Sequence, residues 1–326
     1  KDVENTIPHF KAVPQSQWIP FFDGIKARFQ YNGHILGATF IELDVYGKRF
    51  VFSGDIGRTN DLLLYPPLKP NKADVLFIES TYGGRFHPDE VEAIPKIEKL
   101  VNDTINRGGS LFIPSFSVER AQLMMLIFWR LLKENKIPKV QMIMDSPMGA
   151  NVLELFHRTR EWHKLEKHEC DEMCSYFTVV SSYRETMELR TDEKPKIVIA
   201  GSGMLTGGRM LNYLETQAQN PSNTLLFVGY QAEGTRGRKL LEGEKELKVY
   251  GKWVPFHMEV AEIEGLSAHA DHTELIDWMS KIKNKPELIF IVHGEKESAE
   301  ALQKGIKETY DWDSEIPQLY SIEEIK

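Results

Sequence analysis

The stretch from Asn32 to Gly57 reads NGHILGATFIELDVYGKRFVFSGDIG. His34 stands near its beginning, directly after a glycine. Asp55 stands near its end, also directly after a glycine. Between them, Thr39 to Val45 alternates with period two, and residues 49–53 are short and rich in β-forming side chains. A turn containing glycine separates the two runs. The stretch therefore predicts a β-hairpin.

Such a hairpin would bring His34 and Asp55 together. His34 lies in the loop before the first strand and Asp55 in the loop after the second, and these ends of an antiparallel pair lie side by side. An imidazole and a carboxylate that converge in this way can bind one metal ion. The alternative is a capping histidine and an aspartate in a turn, and these residues alone do not decide between the two.

The composition excludes some classes of protein. The chain has 326 residues, of which 41% are hydrophobic and 27% charged, as in a globular protein large enough for two packed units. It has no run of about 18 apolar residues, so we expect no transmembrane helix and no membrane partner. A net charge of −8 argues against a generally basic nucleic-acid binder. It leaves open a nucleic acid held in one groove beside bound cations.

The two cysteines, Cys170 and Cys174, lie four residues apart in an expected helix. Helical geometry disfavours a disulfide between them, and two thiols alone make a poor zinc site. They fit a reducing compartment, so we expect a cytoplasmic protein. The chain begins at Lys1 with neither an initiator methionine nor a signal-peptide pattern, and we expect it to be a fragment.

The secondary-structure pattern changes twice along the chain. Residues up to about Glu79 are β-rich, and strands and helices then alternate until about Glu259, where strand, helix, strand and helix follow. The alternation predicts βαβ units and a parallel sheet. Within it we expect a helix over Asp89 to Asn106 and another that begins at a Ser117 cap. An α/β unit is thus predicted to be inserted into a β-rich one.

Acidic and histidine side chains recur in the loops that follow or precede these strands. They are His34, Asp55, Glu79, His269 and His293. Loops at strand ends are where α/β proteins place their sites. A single histidine at a strand end is more often structural, but the set as a whole favours a functional site.

The order of these motifs resembles the metallo-β-lactamase fold, and specifically its β-CASP branch of nucleic-acid-processing nucleases. The motifs are GHILG at 33–37, SGD at 53–55, ESTYG at 79–83, SAHAD at 267–271 and VHGE at 292–295. Three stretches resemble the inserted β-CASP domain, namely IPSF at 113–116, GSGML at 201–205 and GYQAEGTRGR at 229–238. The resemblance implies an α/β protein: an N-terminally truncated αββα metallo-β-lactamase-like domain (1–84 and 256–326) with an inserted parallel α/β β-CASP domain (85–255).

The resemblance also implies the chemistry of the site. Two zinc ions would be held in part by His34 and His293, with Asp55 as the bridging ligand. Glu79 would orient a ligand histidine, and His269 would act as general acid. The result would be a zinc-dependent hydrolase that cuts phosphodiester bonds.

The resemblance also implies the class of substrate. In this family a histidine at the position of His293 accompanies the RNA-processing members, so we expect the substrate to be single-stranded RNA. Arg209, Arg236 and Arg238 lie in glycine-rich loops where guanidinium groups could contact phosphates. Each could equally be a solvated surface arginine. Ser267 could present its hydroxyl to phosphate or cap the helix that follows.

One family motif is not found in this sequence. A His-x-His-x-Asp-His cluster is expected upstream of His34, but the first histidine is His9, which stands alone. We therefore expect this chain to hold only part of a two-metal site and to bind fewer than two zinc ions. Two alternatives stay open: a non-catalytic subunit that binds RNA or a partner, and a hydrolase of small thioesters or lactams. Endonuclease or 5′-exonuclease action and the assembly state, a homodimer included, also stay open.

Overall fold

The computed structural model of the chain describes residues 2–88 and 90–325. The strands are β1 Ile19–Phe22, β2 Ile25–Tyr31, β3 Thr39–Val45, β4 Lys48–Phe52, β5 Val75–Glu79, β6 Leu111–Pro114, β7 Gln141–Asp145, β8 Phe177–Val180, β9 Lys196–Ala200, β10 Thr224–Phe227, β11 Glu246–Val249, β12 Lys252–Pro255, β13 Glu259–Glu262 and β14 Leu288–Val292. The α-helices are α1 Asp2–Thr6, α2 Glu90–Asn106, α3 Arg120–Lys133, α4 Pro147–Arg158, α5 Lys167–Ser175, α6 Tyr183–Leu189, α7 Met210–Gln217, α8 Arg236–Leu241, α9 His272–Trp278 and α10 Lys296–Tyr310.

The chain divides into two compact units, one interrupting the other in sequence. Unit 1 comprises Lys1–Thr59, Pro66–Phe86 and His269–Lys326, and unit 2 comprises Asn60–Tyr65 and His87–Ala268. The domain boundaries expected from the sequence stay a prediction. Among the described residues, no helix is both long and apolar enough to cross a lipid bilayer.

Unit 1 contains a six-stranded sheet in the order β1-β2-β3-β4-β5-β14. β3 and β4 pair antiparallel, with Ile41 opposite Phe52, which confirms the predicted hairpin. β4, β5 and β14 then run parallel, and Val292 lies opposite Glu79. This register brings the loops after β4, β5 and β14 to one edge of the sheet.

The core of unit 1 fixes that edge. Phe40 of β3, Leu76 and Ile78 of β5, Trp278 of α9 and Leu302 of α10 are all fully buried in one cluster. The Phe40 and Trp278 rings meet edge to face with centroids 5.3 Å apart. Each such buried apolar side chain stabilises the fold by about 1.5–3 kcal/mol. The strands that carry the loops are thereby held against both helices.

Unit 2 contains a six-stranded sheet in the order β13-β10-β6-β9-β7-β8. All of its strand pairs are parallel, which confirms the parallel α/β prediction. Every residue of β6, β9 and β10 is buried, as expected for strands covered on both faces. A two-stranded antiparallel ribbon, β11-β12, belongs to the same unit.

Two sequence expectations concern helix starts. The predicted Ser117 cap is wrong, because α3 begins at Arg120 and the Ser117 hydroxyl instead lies 2.8 Å from the Ser146 hydroxyl. Asp89, the predicted start of the preceding helix, lies outside the described residues.

Candidate metal centre

The loop that carries Asp55 is locked to the loop after β2. The Asn32 side-chain amide donates to the backbone oxygens of Asp55, at 2.6 Å, and Ser53, at 3.2 Å. The Gly57 N–H donates to the Asn32 oxygen at 2.8 Å. A Cβ at Gly57 would lie 2.0 Å from the Gly33 carbonyl carbon, so only glycine allows this close approach. These contacts therefore hold the loop after β2 and the loop after β4 firmly together.

The Asp55 carboxylate faces a histidine on each side. Its Oδ2 lies 3.6 Å from Nε2 of His34, and its Oδ1 lies 3.3 Å from Nδ1 of His293. His34, Asp55 and His269 each offer a ligand atom, and these atoms lie within 4.8 Å of one another. The Asp55 side chain is 37% exposed, so the carboxylate is open to a bound ion or substrate.

His269 is held by a buried carboxylate. Its Nδ1 lies 3.0 and 3.2 Å from the two oxygens of Glu79, a residue that is 1% exposed. The backbone N–H groups of Ile56 and Thr81 donate to the same carboxylate at 2.6 and 3.2 Å. Burial alone raises the pKa of the Glu79 carboxyl, but the hydrogen bonds and charge of His269 and the other donors outweigh burial and hold that pKa below its ordinary value. Glu79 is therefore an anion that accepts the Nδ1–H of His269 and fixes the orientation of its ring.

The loop that carries His269 is also tied down. The N–H of Ala270 donates to the Ile56 oxygen at 2.8 Å, beside Asp55. The Asp271 carboxylate then caps α9 by accepting from the Glu274 N–H at 3.0 Å. The cap fixes where the helix begins, and so fixes the position of His269 two residues earlier.

His293 adopts an unusual backbone conformation. Its φ is +54°, in the left-handed region that non-glycine residues rarely occupy. The next residue, Gly294, has no room for a Cβ, which would lie 2.3 Å from the Ser80 hydroxyl oxygen. The Thr81 hydroxyl lies 3.2 Å from the Nδ1 of His293. A sharp, packed turn thus aims the imidazole at Asp55.

The arrangement fits a zinc-type ion. Two nitrogen or oxygen ligands of a tetrahedral zinc lie about 3.4 Å apart, given bonds of about 2.0–2.1 Å. The two Asp55–histidine separations, 3.6 and 3.3 Å, are longer than a good hydrogen bond and close to that spacing. A carboxylate with one oxygen toward each imidazole can also bridge two ions. The donor set and the geometry therefore agree with a metal centre.

Comparisons with known proteins agree with the fold. The model of the Beta-Casp domain matches residues 121–240, and that of the Zn-dependent metallo-hydrolase RNA specificity domain matches residues 253–317. "Ribonuclease TTHA0252" of Thermus thermophilus is 31% identical over 316 residues, covering 93% of this chain and 70% of that protein. The chain belongs to the β-CASP family of metallo-β-lactamase-fold RNA-processing nucleases.

Other β-CASP relatives are similar over most of the chain. An "RNase J-like protein" of Methanocaldococcus jannaschii is 31% identical over 300 residues, covering 91% of this chain and 70% of that protein. "Transcription termination factor FttA" of Methanosarcina mazei is 29% identical over 320 residues, covering 93% of this chain and 50% of that protein. The predicted fold, a metallo-β-lactamase-like domain with an inserted β-CASP domain, is confirmed. So is membership of a family of metal-dependent hydrolases.

The arginines predicted to bind substrate lie in unit 2 and have partners there. The expectation that all three lie in loops is wrong for Arg236 and Arg238, which belong to α8. The Arg209 guanidinium donates to the Ser182 oxygen at 3.0 Å and lies 5.2 Å from the Tyr183 ring centroid. Arg236 donates to the backbone oxygens of Lys248 and Leu205, each at 2.9 Å. These contacts brace loops of the β-CASP domain, and RNA binding by the two residues stays a prediction.

Arg238 and Ser267 differ in their exposure. The Arg238 guanidinium donates to Glu242 at 2.8 Å, one helical turn away, and its side chain is 33% exposed. Ser267 is buried at 4% exposure, directly before the boundary between the units in sequence. Their predicted roles in substrate binding also stay predictions.

Two side chains of the site were not among the predicted residues. Thr81 contacts both Glu79 and His293, and Asn32 holds the Asp55 loop. Thr81 stands inside the ESTYG motif at 79–83, and Asn32 directly precedes the GHILG motif at 33–37. The signal was their position: a hydrogen-bonding residue directly beside a glycine-rich or acidic motif is well placed to support it.

Proposed function

We propose that the protein is a zinc-dependent phosphodiesterase that cuts single-stranded RNA. The observation that carries this proposal is the Asp55 carboxylate with one oxygen facing His34 and the other facing His293. Family membership supplies the reaction class. When bound, zinc supplies Lewis-acid polarisation of a phosphate and lowers the pKa of a bound water to about 7.

The ligand assignment follows from the two faces of the carboxylate. His34 would hold one ion, His293 the other, and Asp55 would bridge both. Other ligands are needed to complete two zinc coordination spheres, because each structural or catalytic zinc has at least three protein ligands. The 326 residues contain no His-x-His-x-Asp-His run that could supply them. With these residues alone, the chain would bind fewer than two ions tightly.

His269 is proposed as the general acid. Glu79 accepts the Nδ1–H of His269, and a second proton on Nε2, which makes the ring an imidazolium, is the one that would pass to the leaving oxygen of the cleaved RNA. Glu79 is in this proposal a positioning residue, because it acts on the substrate only through His269. This refines the role expected from the sequence, in which Glu79 orients a ligand histidine.

RNA is proposed as substrate on three grounds. Two of the relatives above are named as ribonucleases or RNase-like proteins, and the model that matches residues 253–317 describes an RNA specificity domain. His293 matches the form of its motif that accompanies RNA-processing members. Arg209, Arg236, Arg238 and Ser267 are the proposed phosphate contacts, which would require each arginine to share or exchange its present partners. A cytoplasmic location belongs to the same proposal.

The test is cleavage of an end-labelled single-stranded RNA by the protein at its full natural length, loaded with zinc. We expect shortened products, and a rate lower by about 100- to 10,000-fold in His269→Ala, the range for loss of a general acid. Zinc content should not change in that variant. His257→Ala, an exposed histidine of unit 2, is the matched control and should cut at the unaltered rate.

The outcomes separate the alternatives. RNA binding with no cleavage by the zinc-loaded protein would favour a non-catalytic RNA-binding subunit. Equal cleavage by the unaltered protein and His269→Ala would overturn the assignment of the acid. A lower zinc content in His269→Ala would make His269 a metal ligand instead. The end group and length of the products distinguish endonuclease from 5′-exonuclease action.

A further inference from the structure

A second group of metal-binding side chains lies in unit 2 and has no part in the chemistry above. The thiol cluster consists of His157 near the end of α4 and of Cys170 and Cys174 on α5. The His157 Nε2 lies 3.8 Å from the Cys174 sulfur and 4.0 Å from the Cys170 sulfur. All three donor atoms lie within 4.8 Å of one another.

These separations are near those of a tetrahedral zinc site. With Zn–S bonds of about 2.3 Å and Zn–N bonds of about 2.0–2.1 Å, a sulfur and a nitrogen ligand lie about 3.6 Å apart and two sulfur ligands about 3.8 Å apart. The observed nitrogen–sulfur distances exceed that spacing by only a few tenths of an ångström. A small rotation about one side-chain torsion closes a gap of this size. The cluster therefore needs little rearrangement to hold an ion.

A carboxylate orients the histidine of the cluster. Asp171 follows Cys170 on α5, and its Oδ1 lies 3.3 Å from the Nδ1 of His157. A histidine that donates Nδ1–H to a carboxylate presents a neutral Nε2 to a metal, and this second contact is regular at zinc sites. Here the Nε2 faces the two sulfurs. Asp171 thus supplies an observation that is independent of the three donors.

A disulfide does not explain the pair of thiols. Side chains four residues apart on a helix have Cβ atoms about 5–6 Å apart, whereas a disulfide needs about 3.5–4.5 Å. Cys170 is buried and Cys174 is half-buried, and both are free. The helix therefore holds two thiols close without pairing them.

The electrostatics of the thiols are consistent with this geometry. The contact with the Cys170 thiol and the contact with His157 together lower the pKa of the Cys174 thiol to about 6, against the effect of burial. The contact between the two thiols and burial raise the pKa of the Cys170 thiol.

We propose that His157, Cys170 and Cys174 bind one zinc ion through Nε2 and the two sulfurs, with a water or an added ligand in the fourth position. Two thiolates would neutralise the ion. The ion would join α4 to α5, whose sequence connection includes the turn at Arg160–Trp162. The sequence expectation that two thiols alone make a poor zinc site still holds, because the third ligand comes from another helix.

Cobalt(II) tests the proposal, because cobalt replaces zinc in such sites and a cobalt–thiolate bond gives a charge-transfer band in the near ultraviolet. We titrate the reduced, metal-free protein with Co²⁺ and then displace Co²⁺ with Zn²⁺. We expect the band to saturate at one Co²⁺ per chain and to disappear as Zn²⁺ replaces it. Asp55→Ala should keep the whole band, because His34, Asp55, His269 and His293 include no thiol.

Four variants make the assignment specific. Cys170→Ser and His157→Ala should each weaken Co²⁺ binding at the band by at least about tenfold, and Asp171→Asn by about 10- to 100-fold. His168→Gln, an exposed histidine on the same helix, is the matched control and should bind as the unaltered protein does. Circular dichroism shows which variants keep the fold, and Asp171→Asn leaves all three donors present.

Three outcomes would overturn the proposal. One is the lack of any thiolate band in the fully reduced protein. Another is a band that Cys170→Ser, His157→Ala and Asp171→Asn leave unchanged. The third is loss of both free thiols to an intramolecular disulfide while Zn²⁺ is present. None of these outcomes bears on RNA cleavage, so this proposal and the proposed function stand or fall separately.

Discussion

Among the residues of the site, Glu79 is the one on which the geometry depends most. It is buried, it binds His269, and it receives N–H groups from the loops after β4 and β5. Removing one partner of such a buried network leaves the others unsatisfied. Glu79 therefore links the position of the proposed acid to the position of the Asp55 loop.

Glu79→Gln should slow RNA cleavage by about 10- to 100-fold, as expected for loss of a group that orients another. The amide keeps the shape of the side chain but cannot act as an anionic acceptor for Nδ1–H. The rate at saturating RNA should fall while the affinity for RNA stays the same. Glu300→Gln, on the exposed face of α10, is the control. A full cleavage rate in Glu79→Gln would contradict the positioning role.

The same carboxylate predicts how stability depends on pH. Its pKa is lower in the folded protein than the value of about 4.3 for an unfolded chain. The folded state therefore binds fewer protons, and Glu79 stabilises it fully above that unfolded pKa. The contribution is lost as the pH falls through the lower, folded pKa.

The measurement is the free energy of urea unfolding of the metal-free protein and of Glu79→Gln between pH 7 and pH 3. The part of the difference that comes from Glu79 should shrink as the pH falls below about 4.3. A difference that grows as the pH falls from about 4.3 to 3 would mean that the pKa of Glu79 is raised in the folded protein.

For individual residues, the sequence was enough to predict which side chains of the site lie together, but not all of their hydrogen-bond partners. Glu79 is the last residue of β5, and His34, Asp55, His269 and His293 lie in connections next to strands or a helix of unit 1. These connections meet at one edge of the sheet. The partners of the arginines could not be predicted. Arg236, for example, donates to the backbone oxygens of Lys248 and Leu205, and no pattern in sequence marks a carbonyl as an acceptor.

Among the elements, β3 carries a buried charge that supports the hairpin. Glu42 has a fully buried side chain that accepts from Arg28 of β2 at 2.6 Å and pairs with Arg49 of β4 at 3.4 Å. The Trp18 ring covers both guanidinium groups, with centroid distances of 4.7 and 4.4 Å. The three strands are thus joined by one ion cluster under an aromatic ring.

Glu42→Ala should lower the free energy of unfolding by about 3 kcal/mol, because it leaves two shielded guanidinium groups without their shared partner. The control is Asp44→Ala on the same strand. Asp44 is 16% exposed, and its pair with Arg49 at 3.3 Å should contribute at most about 1 kcal/mol. Urea unfolding at pH 7 measures both. Equal losses in the two variants would show that the burial of Glu42 has no special cost.

The elements with strong periodicity were predictable, and those set by tertiary contacts were not. The strands β5, β9 and β14 coincide with short apolar runs in the sequence. α3 starts at Arg120 because the Ser117 hydroxyl meets Ser146, a residue of another connection, instead of capping the helix. β11 and β12 have only four residues each, which is too few for a period-two pattern to identify a strand. Their pairing depends on packing against the rest of the unit.

For the whole molecule, the order of motifs was enough to predict an inserted domain, because each motif belongs to a fixed place in the family. Where one unit ends and the other begins depends on contacts between distant residues. The assignment of Asn60–Tyr65 to unit 2 is an example, since Leu64 pairs with His163 there. The two candidate metal sites, one per unit, also differ in donors: nitrogen and oxygen in unit 1, nitrogen and sulfur in unit 2.

In the proposed site of unit 1, Asp55 would join two metal positions. Its role is measured by the zinc content of the protein at its full natural length, in a Cys170→Ser/Cys174→Ser background that removes the thiol cluster, with and without Asp55→Ala. We expect two zinc ions per chain before the Asp55→Ala change and one or none after it, together with loss of RNA cleavage. If Asp55→Ala kept both zinc ions, Asp55 would not be the bridging ligand.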